Sequence, residues 1–272
     1  MARMGHRLAL KKSPALFLAA SVLLRAQTDA PPDATQQQAL LAKIQQSAMR
    51  FRGQLPDFIC TKLTDRWEDG SGTGKRWKQR DSLEETVYFA QGGRTEIRLL
   101  KMNGKPATRT HLTMGGMRED GVVGDAIVPA TIFGPLANGQ FEWSRWETLA
   151  GRRMAVFSFR VPPGAKNYPD GKHAFVIAFH GLVYADPSDG MVMRRETHVD
   201  GPPGYPYEES GWDIDYGPVT ISGREMILPV KVVARYREGR FLSRNEIQFT
   251  NYRKYEADST VTFGNNTSGD NR

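Results

Sequence analysis

The sequence predicts an α+β fold: a curved antiparallel β-sheet, an incomplete barrel, crossed by a few helices. Three observations predict it. Phe175 to Val199 reads as two strands joined by the turn Asp186-Pro187-Ser188-Asp189-Gly190, in which proline presets φ, Asp and Ser bond nearby backbone, and glycine accepts a positive φ. The same grammar of apolar, β-branched and aromatic runs separated by Gly, Asn, Asp or Pro recurs from Phe58 to Phe263, as in a meander of strands. One stretch near the start, Thr35 to Phe51, carries Leu40, Leu41, Ile44, Ala48 and Phe51 at helical spacing, so a single apolar stripe has to lie across a sheet.

A chain of 272 residues that is 39% hydrophobic and 10% aromatic can bury a real core, which excludes general disorder. The formal charge is +7, but residues 1–26 hold Arg3, Arg7, Lys11, Lys12 and Arg25 and no acidic residue, and subtracting those five leaves +2. A remainder that small gives no case for a nucleic-acid partner. The same segment has the anatomy of an export signal: a basic opening through Lys12, an apolar stretch from Pro14 to Leu24, and small or polar residues around Ala26-Gln27. The apolar stretch is too short for a stop-transfer helix. The expected organisation is a signal peptide over 1–26, with cleavage near Ala26 and Ala30 as the second choice. A linker over 27–35, one α+β domain over 36–264 and a polar disordered tail over 265–272 follow. The protein is therefore expected to be periplasmic or secreted, with no transmembrane segment after cleavage.

In chain order, Thr35 with Gln38 reads as a capping box, and Gly53 and Pro56 stop the helix. Phe58 to Trp67 is the first strand, and Asp69 to Gly74 is a hairpin connection into a strand around Lys75 to Arg80. Thr86 to Phe89 and Thr95 to Met102 are further strands around the turn Gly92-Gly93, and Asn103-Gly104 is a strong hairpin signal. Met114 to Gly124 reads as a glycine-rich loop, Asp125 to Leu136 as a short helix, and Phe141, Trp143 and Trp146 as rings that plug one end of the core. In Met154 to Val161, Ala155, Phe157, Phe159 and Val161 form a dry face, and Pro162-Pro163-Gly164 is expected to break that strand. Phe175 to Tyr184 is apolar on both sides and needs cover on both. Asp213 to Val219 and Ile221 to Tyr236 are strands in which Pro229 marks an edge or a bulge. Arg244 to Tyr255 and Ser259 to Phe263 close the sheet.

Motifs for chemistry are sparse. Gly70-Ser-Gly-Thr-Gly74-Lys75 lacks the spacing of a phosphate-binding loop, and Arg76 stands where Ser or Thr is needed. His173, His180 and His198 lie near the central hairpin without a close ligand pair, and they read as structural or surface residues, although His180 and His198 can meet across it. No Gly-x-Ser-x-Gly elbow is present. Asp213 and Asp215 face the same way on a strand, an arrangement that either raises one pKa for acid–base work or solvates an edge. Cys60, the lone cysteine, reads as a small buried hydrophobe. No metal and no cofactor is expected. What remains is shape: a long sheet with an inner face of Phe, Ile and Val can shelter an apolar ligand, with Phe157, Phe159, Phe175, Ile177, Phe179 and Val183 as candidate lining.

The hairpin Phe179-His180-Gly181-Leu182-Val183-Tyr184-Ala185-Asp186-Pro187 to Arg194, preceded by an export signal, one amphipathic helix and a run of strands, resembles the periplasmic lipoprotein-carrier (LolA/LolB-like) superfamily. With Asp215-Tyr216-Gly217, Gly223-Arg224 and Leu228-Pro229 it also resembles uncharacterised exported proteins of soil bacteria. The resemblance implies an open barrel in which helices act as a lid over an apolar cavity for acyl chains; no lipoprotein-handling residue matches one by one. The expected function is thus a non-catalytic envelope carrier or binder of a lipid-like or apolar ligand. The alternatives are a structural or protein-interaction module that docks an envelope partner, and an envelope hydrolase using Asp213, Asp215 or His180.

Overall fold

A computed structural model of the chain describes residues 30–90, 94–108, 123, 126–127, 129–169 and 174–255. Among the described residues, helix α1 (Ala34–Gln54) precedes eleven antiparallel strands: β1 (Phe58–Asp69), β2 (Lys78–Ala90), β3 (Arg94–Met102), β4 (Lys105–Pro106), β5 (Gln140–Leu149), β6 (Arg152–Pro169), β7 (Ala174–Ala185), β8 (Val192–Asp200), β9 (Glu209–Ile221), β10 (Arg224–Glu238) and β11 (Phe241–Lys254). They form one open sheet in the order β4-β3-β2-β1-β11-β10-β9-β8-β7-β6-β5. The open, curved sheet matches the expectation, but the α+β class does not. Strand makes up 62% of the structure, and α1 is the one long helix among the described residues, so the architecture is more all-β than α+β.

The physical reasons lie in particular segments. Asp125 to Leu136 was expected to carry a short helix; among its described residues Ala126 and Ile127 are helical and Pro129–Ile132 is a 3₁₀ turn. Pro162-Pro163-Gly164 does not end β6, because the register shifts between Val161 and Lys166 and a bulge absorbs the residues that cannot donate to the ladder. Pro229 likewise sits at a register shift in β10, which is a central strand rather than an edge. The expected strands around Lys75–Arg80 and Thr86–Phe89 are one continuous β2. Asn103 and Gly104 both take positive φ (51° and 74°), the backbone of the expected tight hairpin. The signal peptide, the Met114–Gly124 loop apart from Val123, the strand at Ser259–Phe263 and the tail all lie outside the described residues.

Helix α1 starts two residues earlier than its sequence signal, since Asp33 caps the Gln36 amide and the Gln36 side chain caps Asp33 in return. Ile44, Ala48 and Phe51 are buried against the sheet, with Leu40 and Leu41 at the margin. The helix is seated on the β7–β8 turn. Lys43 Nζ donates to the carbonyls of Pro187 (3.1 Å) and Ser188 (3.3 Å), and the Ser47 hydroxyl meets the Met191 sulfur at 3.1 Å. Gly190 has φ +76°, and a Cβ there would stand 2.7 Å from the Lys43 carbonyl oxygen. The turn is braced from within by Asp186, whose carboxylate accepts from the Ser188 amide and hydroxyl and pairs with Arg152.

Replacing Gly190 by Ala should therefore cost about 3 kcal/mol, from left-handed strain plus a forced shift of the helix. Gly223→Ala, at φ +78° with no atom within 4 Å, should cost only the strain, about 1 kcal/mol. Urea unfolding measures both; equal losses would show that the helix does not bear on this turn.

Candidate functional site

The inner face of the sheet is the one that carries α1. Alternation places Phe157 and Phe159 of β6, Ile177, Phe179 and Val183 of β7, and Trp212 and Ile214 of β9 on it. Five of the six expected lining residues, all but Phe175, are 5% exposed or less and belong to one continuous cluster. Phe175 is half-buried at its margin, edge-on to Tyr205 at 5.5 Å. Gly181 stands opposite Phe159, where a Cβ would meet the Glu196 carbonyl oxygen at 1.9 Å and the Phe159 ring at 3.0 Å. The phenyl ring thus covers a strand too tightly crossed for a side chain. The rings continue outward to the edge strand β5: Phe159 to Phe141 at 6.3 Å, Phe141 stacked on Phe133 at 4.9 Å, and Trp143 edge-on to Phe157 at 5.4 Å. Ile44, Ala48 and Phe51 of α1, Leu55 just after it, and Ile127, Ile132 and Ala137 of the β4–β5 connection join the same cluster over this wall.

Charge enters the same inner face, and sequence reasoning missed it. Lys62 of β1 is fully buried, 2.6 Å from Glu85 directly opposite on β2. Arg66 makes a two-pronged pair with Asp81 at 2.6 and 2.5 Å. Arg195 of β8 is the largest fully buried side chain; its register neighbours are Val183 and Ile214, and its Nη1 donates to Thr131 Oγ1 of the 3₁₀ turn at 3.0 Å. Two signals could have found these groups. Phe58, Cys60, Lys62, Thr64 and Arg66 share one face by strict alternation, and of the adjacent strand residues Arg194 and Arg195 one must point to the inner face.

On the outer face, Asp213 and Asp215 do share a side, but each is committed to its own arginine, Arg235 at 2.5 Å and Arg194 at 2.6 Å. They form no acid–base pair, and β9 is not an edge. His180 and His198 do meet, stacked at 5.1 Å and 18°, with His180 Nδ1 2.9 Å from Asp200. With Trp77, Gly211, Asp213, Arg235 and Arg237 they line a half-open groove of about 560 Å³. Nearby, burial and a bond to Glu196 push the Tyr184 phenol up to about 12. Among the described residues no three His, Cys, Asp or Glu side chains are grouped to hold a metal ion, and no helix is long and apolar enough to cross a membrane.

No protein-family model matches the chain, and no curated protein matches it. Among solved structures it is similar to a DUF1329 family protein from Desulfovibrio piger, at TM-score 0.35 and 9% identity, covering 80% of this chain and 93% of that one. It is similar as well to an outer membrane lipoprotein-sorting protein domain from Vibrio parahaemolyticus, at TM-score 0.35 and 8% identity, covering 82% and 93%. At that TM-score neither likeness carries an argument about what this chain does.

Cys60 lies on the inner face at 3% exposure, and burial pushes its thiol up to about 12 against the opposing effects of Tyr252 and Lys62. Folded, Cys60 and Tyr184 both hold their protons more tightly than unfolded. The stability they contribute is complete below pH 9 and is lost as pH rises from 9 toward 12. A thiol reagent at pH 8 should react with Cys60 only when urea unfolds the chain, and the urea midpoint should fall between pH 8 and pH 10.5. Rapid labelling of the native protein would show that the inner face is open to water.

Proposed function

We propose that the chain is an exported cell-envelope protein that holds a lipid-like apolar ligand between the inner face of its sheet and the cover formed by α1 and the Pro129–Ala137 segment, without catalysing a reaction. The observation that supports this reading is how that cover is held. Among the described residues, a backbone bond from the Ala137 amide to the Gly134 carbonyl at 2.9 Å closes Pro129–Ala137 on itself, while Ile132 and Phe133 reach the wall through side chains. A segment outside the hydrogen-bonded ladder opens at lower cost than a strand does. Withdrawing it would open a way to the wall of Phe157, Phe159, Ile177, Phe179 and Val183, with Phe175 at the rim. The N-terminal signal anatomy supports the envelope location.

The outer-face groove favours a second reading, a module that docks a polar segment of an envelope protein. Its lining is ion-paired and half-open, unlike the dry wall inside.

Uptake of the fluorescent fatty acid cis-parinaric acid by the chain from Gln27 onward tests the first reading. Saturable one-to-one binding is expected. Ile132→Ala with Phe133→Ala should tighten it about tenfold or more, because apparent affinity scales with the open population, while Arg235→Ala in the groove should leave it unchanged. No uptake by the native chain or by the cover variant contradicts the carrier reading and leaves the docking module.

A further inference from the structure

We infer that the outer-face groove takes a basic, extended segment of a partner protein, one that presents arginine or lysine side chains. The inference rests on the docking reading above and not on the inner face. The groove is built by strand register. His180, His198, Gly211 and Arg235 stand opposite one another in turn across β7, β8, β9 and β10, so the one residue of this row without a side chain lies between an imidazole stack and a guanidinium. Neighbouring strands lie about 4.8 Å apart, so the missing side chain opens a trough roughly 10 Å wide between the backbones of His198 and Arg235. Position 211 is held to glycine, since a Cβ there would stand 2.4 Å from the Thr197 carbonyl oxygen. The trough is therefore a fixed feature of the sheet. At about 560 Å³ and half-open, it suits a chain lying along it better than a small molecule that has to be enclosed.

The charge on the lining selects the partner. Asp200, Glu208, Glu209 and Asp213 line the groove together with two guanidiniums, Arg235 and Arg237. Those two are spent on Asp213 and Glu209. Among the described residues, Asp200 pairs with the His180 imidazole at 2.9 Å and the Glu208 carboxylate meets no cation. Acids on a convex surface are simply solvated, but in a concave wall of low dielectric the same surplus focuses its field and draws a cation. An aromatic wall points the same way independently of the acids. Trp77, in the β1–β2 connection, lines the groove, with its indole N–H donating to the Gly74 carbonyl at 2.9 Å and the Arg244 guanidinium 4.7 Å from its ring centroid. The stacked imidazoles of His180 and His198 add a second flat surface. Carboxylates beside flat rings suit a guanidinium, which pairs two-pronged and stacks, better than an ammonium.

Fluorescence anisotropy with labelled glycine–serine peptides of equal length tests this. Three peptides carry, at alternate positions, a pair of arginines, lysines or glutamines, and spermidine serves as a competitor. The arginine peptide should bind the chain from Gln27 onward about tenfold or more tightly than the glutamine peptide, with the lysine peptide between them. Asp200→Asn with Glu208→Gln should lose about tenfold or more of that affinity. Glu142→Gln with Glu225→Gln removes the same charge outside the groove and should change it by less than about twofold, since at physiological salt exposed charges are screened beyond about 8 Å. Uptake of cis-parinaric acid should be the same in both double variants. Equal binding of the arginine and glutamine peptides, or equal losses in the two double variants, overturns this inference and leaves docking of a polar segment standing. Spermidine binding more tightly than the arginine peptide overturns the peptide assignment and makes a small polyamine the ligand. Absence of binding by all three peptides overturns the docking reading itself.

Discussion

An apolar sheet face has to be kept from water, and the topology of this chain allows few ways to do it. With β4 on one edge and β5 on the other, the chain between them supplies Val123, Ala126, Ile127, Ile132 and Ala137, which join the core of the inner face. Helix α1 supplies the rest of the cover and is fixed by its seat on the β7–β8 turn, where Gly190 lets the strand connection pass within contact of the Lys43 carbonyl. Hairpin, helix and β4–β5 connection are therefore one device, in which the sheet provides the wall and the other two provide what closes it.

The wall and the closure differ in kind. Strands β5 to β11 form an uninterrupted meander, locked by backbone ladders and, on the outer face, by the pairs Arg194–Asp215, Arg235–Asp213 and Arg237–Glu209. Each of these surface pairs contributes little alone. The closure rests on side-chain packing and on a few polar contacts such as Arg195 to Thr131. A molecule made this way would keep its wall if its cover shifted, which is what the proposed carrier requires.

Much of this was legible in the sequence because it depends on short-range chemistry. The Asp186–Gly190 turn, the Asn103-Gly104 hairpin, the inward alternation of Phe157, Phe159 and Val161, and the stripe of α1 each follow from residues a few positions apart. The α+β class failed where long-range pairing overrode a local signal, as when neighbouring strands carried β6 past Pro162 and Pro163 with a bulge. Alternation could have placed the inner charges, but their partners were illegible for a related reason. Lys62 and Glu85 are 23 residues apart and meet only once the β1–β2 register is set. Arg195 finds Thr131 across 64 residues.

The most direct test of the account is hydrogen–deuterium exchange of the protein free and loaded with cis-parinaric acid. Loading should speed exchange of the amides in Ile132–Ala137 while β7, β8 and β9 stay as protected as before, because the ligand displaces the cover and leaves the ladder intact. Unchanged exchange in the cover, with new protection at the outer groove around His198 and Gly211, would contradict it and place the binding surface on the other side of the sheet.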